Sequence, residues 1–170
     1  NMIQKLLKNF YKPKWWLETA IPFARSWTAK RYSSIRYSPD APTCHLMSED
    51  WDNLILLDAC RFDQFERLNT INGILQKRTS LGSRTPEFLE KNFEERTHHD
   101  TVYVTANPMY QTKNLGHVFH EVIDVWKSEW DDQLKTVRPE KVAEATLEAY
   151  EEFPDKRILS HFMQPHYPFI

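Results

Sequence analysis

Glycine is scarce in this chain, at three residues in 170. A fold that cradles phosphate in glycine-rich backbone loops is therefore not expected. Cysteine is scarcer still. Cys44 and Cys60 cannot make a disulfide framework and suit a reduced interior equally well. No apolar run approaches the roughly 18–20 residues that a membrane-spanning helix needs. An excess of positive charge is missing too: 22 basic side chains meet 24 acidic ones, for a formal net charge of -2. A broad nucleic-acid surface is not expected on that balance. What is present is apolar and aromatic. With 41% hydrophobic and 14% aromatic residues the chain has enough material for a substantial core, which excludes wholesale disorder.

Charge is unevenly spread. Residues 1–40 carry eight basic groups against Glu18 and Asp40, a balance of +6, so the other 130 residues hold 14 basic and 22 acidic groups, a balance of -8. Trp15, Trp16, Phe23, Trp27, Tyr32 and Tyr37 interleave with those basic residues. Such an arm either packs on an acidic neighbour, its own chain included, or lies peripherally on an anionic membrane surface. Pro13 and Pro22 interrupt any long helix, which favours the packing arm. The apolar stretch is too short and too charged for a secretory signal, so a cytoplasmic or membrane-peripheral location is expected.

From residue 41 onward the pattern is that of an α/β domain. Asn53–Leu57 is a short continuous apolar run, the mark of a strand buried on both faces. Thr101–Thr105 is β-branched and aromatic and reads as a second strand, and Arg157–Met163 as a third. Thr85-Pro86-Glu87 opens a helix that runs to Phe93, with proline and acid in the first turn. Val142, Thr146, Tyr150 and Phe153 recur at helical spacing, which predicts an amphipathic helix from Pro139. Alternating strands and helices imply a mostly parallel sheet with helices on both faces.

In such sheets ligands bind beyond the carboxyl ends of the strands. Asp58 follows the first strand, Asn107 the second, and His161 and His166 the third. A carboxylate there is costly to desolvate unless it meets a cation or donors; the plain alternatives are a helix cap or an ion pair with Arg61. In Ser80-Leu81-Gly82-Ser83-Arg84-Thr85-Pro86, the hydroxyls are either helix caps or a nucleophile at a helix start. Arg84 is placed to clamp anionic oxygens. His161 and His166, flanked by Pro165 and Pro168, suit a metal or an anionic transition state, or are simply packed. Cys44-His45 has no second pair at zinc-ligand spacing. His98-His99 reads as a solvated loop, Lys113–Gly116 as another, and Trp126 and Trp130 as neighbours on one helix.

Three stretches taken together carry a resemblance. Trp51-Asp52-Asn53-Leu54-Ile55-Leu56-Leu57-Asp58-Ala59-Cys60-Arg61-Phe62-Asp63, Ser80-x-Gly82-Ser83-x-Thr85-Pro86-Glu87-Phe88 and His161-Phe162-Met163-Gln164-Pro165-His166-Tyr167-Pro168-Phe169 resemble the N-terminal half of sulfatase-like proteins. More narrowly, they are similar to the archaeal sulfatase-like group of the alkaline phosphatase superfamily, from about residue 45 to the end. The resemblance implies a metal-dependent hydrolase of sulfate or phosphate esters, or a transferase of phosphoglycerol or phosphoethanolamine type acting on surface glycans or lipids. It implies a divalent ion (calcium, magnesium, manganese or zinc) on Asp58 and on the nucleophile Ser83, with Thr85 second in line for that role. His166 would contact the anionic group of the ester and His161 assist, while Arg84 and Asn107 have no firm counterpart in the family.

Two departures qualify it. Sulfatases proper have a Cys-x-Pro-Ser-Arg string whose cysteine becomes formylglycine, whereas this chain has Ser83-Arg84-Thr85-Pro86. A metal-activated hydroxyl is expected instead. The later Asp-His pair that completes the family's metal site is also absent, so the chain is expected to be a portion of a larger α/β domain, inactive by itself. The alternative is a non-catalytic module that binds an anion.

Overall fold

The computed structural model describes residues 41–168. The expected basic arm, with its membrane or packing role, lies outside the described residues. Among the described residues, no helix is long and apolar enough to cross a membrane.

The architecture is α/β. Strands β1 (Asn53–Leu57), β2 (His98–Thr105), β3 (Phe119–Asp124) and β6 (Arg157–Phe162) form a parallel sheet in the order β1-β6-β2-β3. A small antiparallel pair, β4 (Trp130–Asp131) and β5 (Thr136–Val137), stands apart from it. The helices are α1 (Phe62–Leu68), α2 (Thr85–Phe93), α3 (Val125–Ser128) and α4 (Pro139–Glu152).

Alternation along the strands sorts the core into two layers. Tyr103 and Leu159 point to one face, where Leu89 and Phe93 of α2 meet Tyr110, Leu115 and Phe119. Val102, Val104 and Ile158 point to the other, where Val142 and Ala149 of α4 meet Val125 and Val137. Helices thus cover both faces of the sheet. Thr146, inside α4, donates its hydroxyl to the Val142 carbonyl and accepts from Ser160 Oγ at 2.9 Å, which ties the helix to β6.

Four sequence expectations fail, each for a local reason; the first is Tyr150 of α4, which is 57% exposed because Ala149 takes the buried position. β1 is not buried on both faces: among the described residues it pairs only with β6, and Ile55 is 62% exposed while Leu54 and Leu56 pack inward. A continuous apolar run does not distinguish an edge strand from a central one. His98 is not in a solvated loop but opens β2, with its ring against Phe93 and Phe119. Trp126 and Trp130 do not share a helix, because α3 ends at Ser128 and Trp130 begins β4.

Burial of His98 and His161 makes stability depend on pH. Both imidazoles are pushed below their ordinary value, first by burial, His161 to about 4. A depressed histidine contributes stability in full above about pH 6.5, and that stability is lost as pH falls toward the folded-state value. Urea midpoints at pH 7.5 and 4.5 check this, and the acid sample should unfold at lower urea.

Candidate active site at the carboxyl edge of the sheet

β1, β6 and β2 end side by side, and the backbone ladder runs one step past them. The Asp58 amide donates to the Phe162 carbonyl at 3.2 Å, and the Ala106 amide to the His161 carbonyl at 3.0 Å. Asp58 is thereby fixed at the sheet edge. The chain then turns sharply, with the Cys60 amide donating to the Leu57 carbonyl and Ala59 at φ 60°. A left-handed alanine costs roughly 1–2 kcal/mol. Ala59→Gly is expected to stabilise the fold by about 1 kcal/mol, read as a higher urea midpoint.

The half-buried Asp58 carboxylate meets donors, not a cation. Thr85 Oγ1 donates to it at 3.2 Å from each oxygen, and Asn107 Nδ2 donates to Oδ2 at 2.9 Å. Asn107 is buried, and its own carbonyl oxygen accepts from the Met109 amide, which settles which end of the amide faces Asp58. Arg61, the expected ion-pair partner, turns instead to Asp63 with two bonds of 2.9 Å. Among the described residues Asp58 has no ion pair.

Of the two hydroxyls considered for the nucleophile, Thr85 is the one that reaches Asp58. Ser83 is exposed, and both its amide and its hydroxyl donate to Glu87 Oε2, at 3.2 and 3.0 Å. With Lys91 on its other oxygen, Glu87 is held down to about 2, chiefly by the Lys91 and Ser83 hydrogen bonds. Ser83 therefore anchors the start of α2, much as a capping residue does. Thr85 sits two residues further on, at the first helical position. Gly82 enables the approach, since a Cβ there would meet the Phe88 backbone.

The remaining expected residues divide. His161 is buried in β6, its Nδ1 2.7 Å from the Tyr103 hydroxyl, and the Asp58 charge partly offsets the effect of burial on it. His166 lies past the strand end and is exposed, with Nδ1 2.6 Å from the Tyr167 carbonyl; no hydrogen bond joins it to Asp58 or Thr85. Arg84 is exposed, and its side chain makes no hydrogen bond or ion pair among the described residues. Two groups went unremarked in the sequence. Asp124, at the end of β3 on the same edge, accepts from Tyr110 at 2.7 Å and Trp126 at 2.8 Å and pairs with Lys127. Tyr103 is a fully buried phenol in mid-strand. A strand assignment over 119–124 would have placed Asp124 here; nothing in the sequence marks the Tyr103 hydroxyl.

The donors at Asp58 suit a hard divalent cation, which takes carboxylate and neutral oxygens and keeps several waters. Asp58 offers a carboxylate and Thr85 a hydroxyl, while Asn107 holds the carboxylate in place. They make part of a coordination sphere, and among the described residues no group of three or more His, Cys, Asp or Glu side chains is gathered to hold a metal. The chain matches no known family, no curated protein and no solved structure.

Proposed function

We propose that this chain carries the ester-binding edge of a metal-dependent hydrolase acting on sulfate or phosphate esters. The observation that carries the reading is Asp58. It is a half-buried carboxylate at a strand's carboxyl end, held by two neutral donors and with no basic side chain paired to it among the described residues. The donors satisfy its oxygens without neutralising its charge, which leaves a preoriented carboxylate able to take a divalent cation. A divalent ion bound there would lower the pKa of the Thr85 hydroxyl, which Asp58 alone is too weak a base to deprotonate.

Thr85, not Ser83, is then the nucleophile. Its oxygen attacks phosphorus or sulfur, the bond to the leaving oxygen breaks, and that oxygen takes up a proton. Water afterwards hydrolyses the threonine ester and regenerates the hydroxyl. Arg84, exposed and one residue before Thr85, is available to the non-bridging oxygens, as is the positive end of α2. His166 serves the same anionic group from the β6 side. The same chemistry extends to anionic esters linked to glycans or lipids. A phosphoglycerol or phosphoethanolamine transferase would differ only in replacing the water with an acceptor hydroxyl.

One observation favours a second reading, a non-catalytic anion-binding module: the described residues supply only part of a metal site. Turnover of aryl phosphate and aryl sulfate esters by the full-length protein, with and without added magnesium, calcium, manganese or zinc, tests the two. Metal-dependent release of the phenol supports the hydrolase. Saturable binding of vanadate without any release would replace it with the binding module.

A further inference from the structure

Among the described residues, the hydroxyl of buried Tyr103 has two polar partners. Its oxygen lies 2.7 Å from His161 Nδ1 and 3.3 Å from Thr105 Oγ1. Thr105 Oγ1 already accepts the Asn107 amide at 2.9 Å, and the Asn107 carbonyl lies 3.1 Å away as an acceptor for the Thr105 proton. Two proton arrangements fit these partners. In one, His161 Nδ1–H donates to the phenol oxygen, and the phenol must send its own proton to Thr105 across 3.3 Å. That is longer than the ~2.5–3.0 Å of an O–H···O bond. In the other, the phenol donates to Nδ1 across 2.7 Å, a short separation suited to a hydroxyl donor. Thr105 then donates to Asn107 or to the phenol oxygen, and every proton has an acceptor at fair distance. Burial pushes the Tyr103 hydroxyl well up, so its proton stays in place.

We infer that Tyr103 is a positioning residue that donates to His161 Nδ1 and holds the proton of the neutral imidazole on Nε2. His161 then presents the site with an N–H donor for an anion's oxygen and has no Nε2 lone pair for a metal. A metal-ligating histidine ordinarily donates its second ring nitrogen to an acceptor, the reverse of this arrangement. Nε2 makes no hydrogen bond to a described residue, and it is not one of the two partnerless side-chain atoms sealed from solvent, His98 Nε2 and Gln164 Oε1. The same chain of bonds runs from Tyr103 through Thr105 to Asn107, and Asn107 Nδ2 holds Asp58. One network thus orients the carboxylate and the imidazole together.

The anion-donor role rests on the ester-site reading; the tautomer does not. Long-range ¹H–¹⁵N correlation of the ¹⁵N-labelled protein at pH 7.5 reads which ring nitrogen of His161 is protonated. The expected spectrum has the proton on Nε2, an Nε2 resonance that moves on adding inorganic phosphate, and a proton that stays in place when Zn²⁺ is added. Tyr103→Phe should turn the single tautomer into a mixture. Protonation at Nδ1 in the unsubstituted protein, or loss of the Nε2 proton to Zn²⁺, would overturn the inference without any variant needing to fold. An Nε2 resonance unmoved by phosphate would overturn the donor role. Absence of ester turnover with the expected tautomer present would count against the hydrolase alone.

Discussion

Asp58→Asn in the full-length protein is expected to reduce metal-dependent ester hydrolysis by on the order of a thousandfold or more, while leaving the protein folded. The substitution keeps the shape of the side chain and an oxygen for Thr85 or Asn107 to approach, so the hydrogen-bonded turn after β1 survives. What it removes is the negative charge. In the absence of metal that charge is half-buried beside neutral donors only, so its loss should leave the urea midpoint unchanged or raise it slightly. With metal present, the anchoring carboxylate is gone and the Thr85 hydroxyl keeps its ordinary pKa. Activity and stability should therefore part company. Parallel measurement of initial rates and urea denaturation checks this, and wild-type turnover in Asp58→Asn would remove Asp58 from the metal site.

Gly82→Ala should be damaging in the opposite way, acting through structure first. An added Cβ would meet the Phe88 backbone nitrogen and stand 2.6 Å from its Cα and 2.9 Å from the Glu87 carbonyl carbon. Real Cβ atoms do not approach backbone so closely, and the contact is with a helix's first turn, which has little room to yield. The strand of chain from Ser80 to Arg84 must move away, taking Ser83 off Glu87 and Thr85 off Asp58. Overpacking of this kind costs about 1–3 kcal/mol. Loss of activity is expected alongside a lower urea midpoint. Gly73→Ala is the internal control, since nothing lies within 4 Å of its added Cβ, and it should be near neutral. Equal midpoints for the two variants would contradict the close approach at Gly82.

Gly82 also shows what composition can and cannot reveal. Three glycines argue against a glycine-rich phosphate loop. One of the three is nonetheless decisive, because helix α2 and the loop before it pack too closely for a side chain. The strands were legible where local pattern sufficed: Asn53–Leu57 occupies β1 as expected, and Arg157 begins β6. Asp58 and Asn107 were legible as candidates because they directly follow strands, where open parallel sheets place their ligands. Which side chains meet was not legible. Ser83 and Thr85 differ by two residues at a helix start, and only the geometry of the first turn decides that one faces Glu87 and the other Asp58. The exposed flank of β1 was hidden for a similar reason, since strand order is a property of the assembled sheet. Tyr103 reads as an ordinary core aromatic, and its hydroxyl acquires meaning only through His161, 58 positions later.

The central claim is that Asp58 and Thr85 form the reacting pair. Acid quench of the protein during turnover of an aryl phosphate, followed by peptide mass spectrometry, tests it most directly. The account predicts phosphate on Thr85 and none on Ser83, with the adduct lost in Thr85→Val and retained in Ser83→Ala. Phosphate on Ser83, or an adduct that survives Thr85→Val, would contradict it.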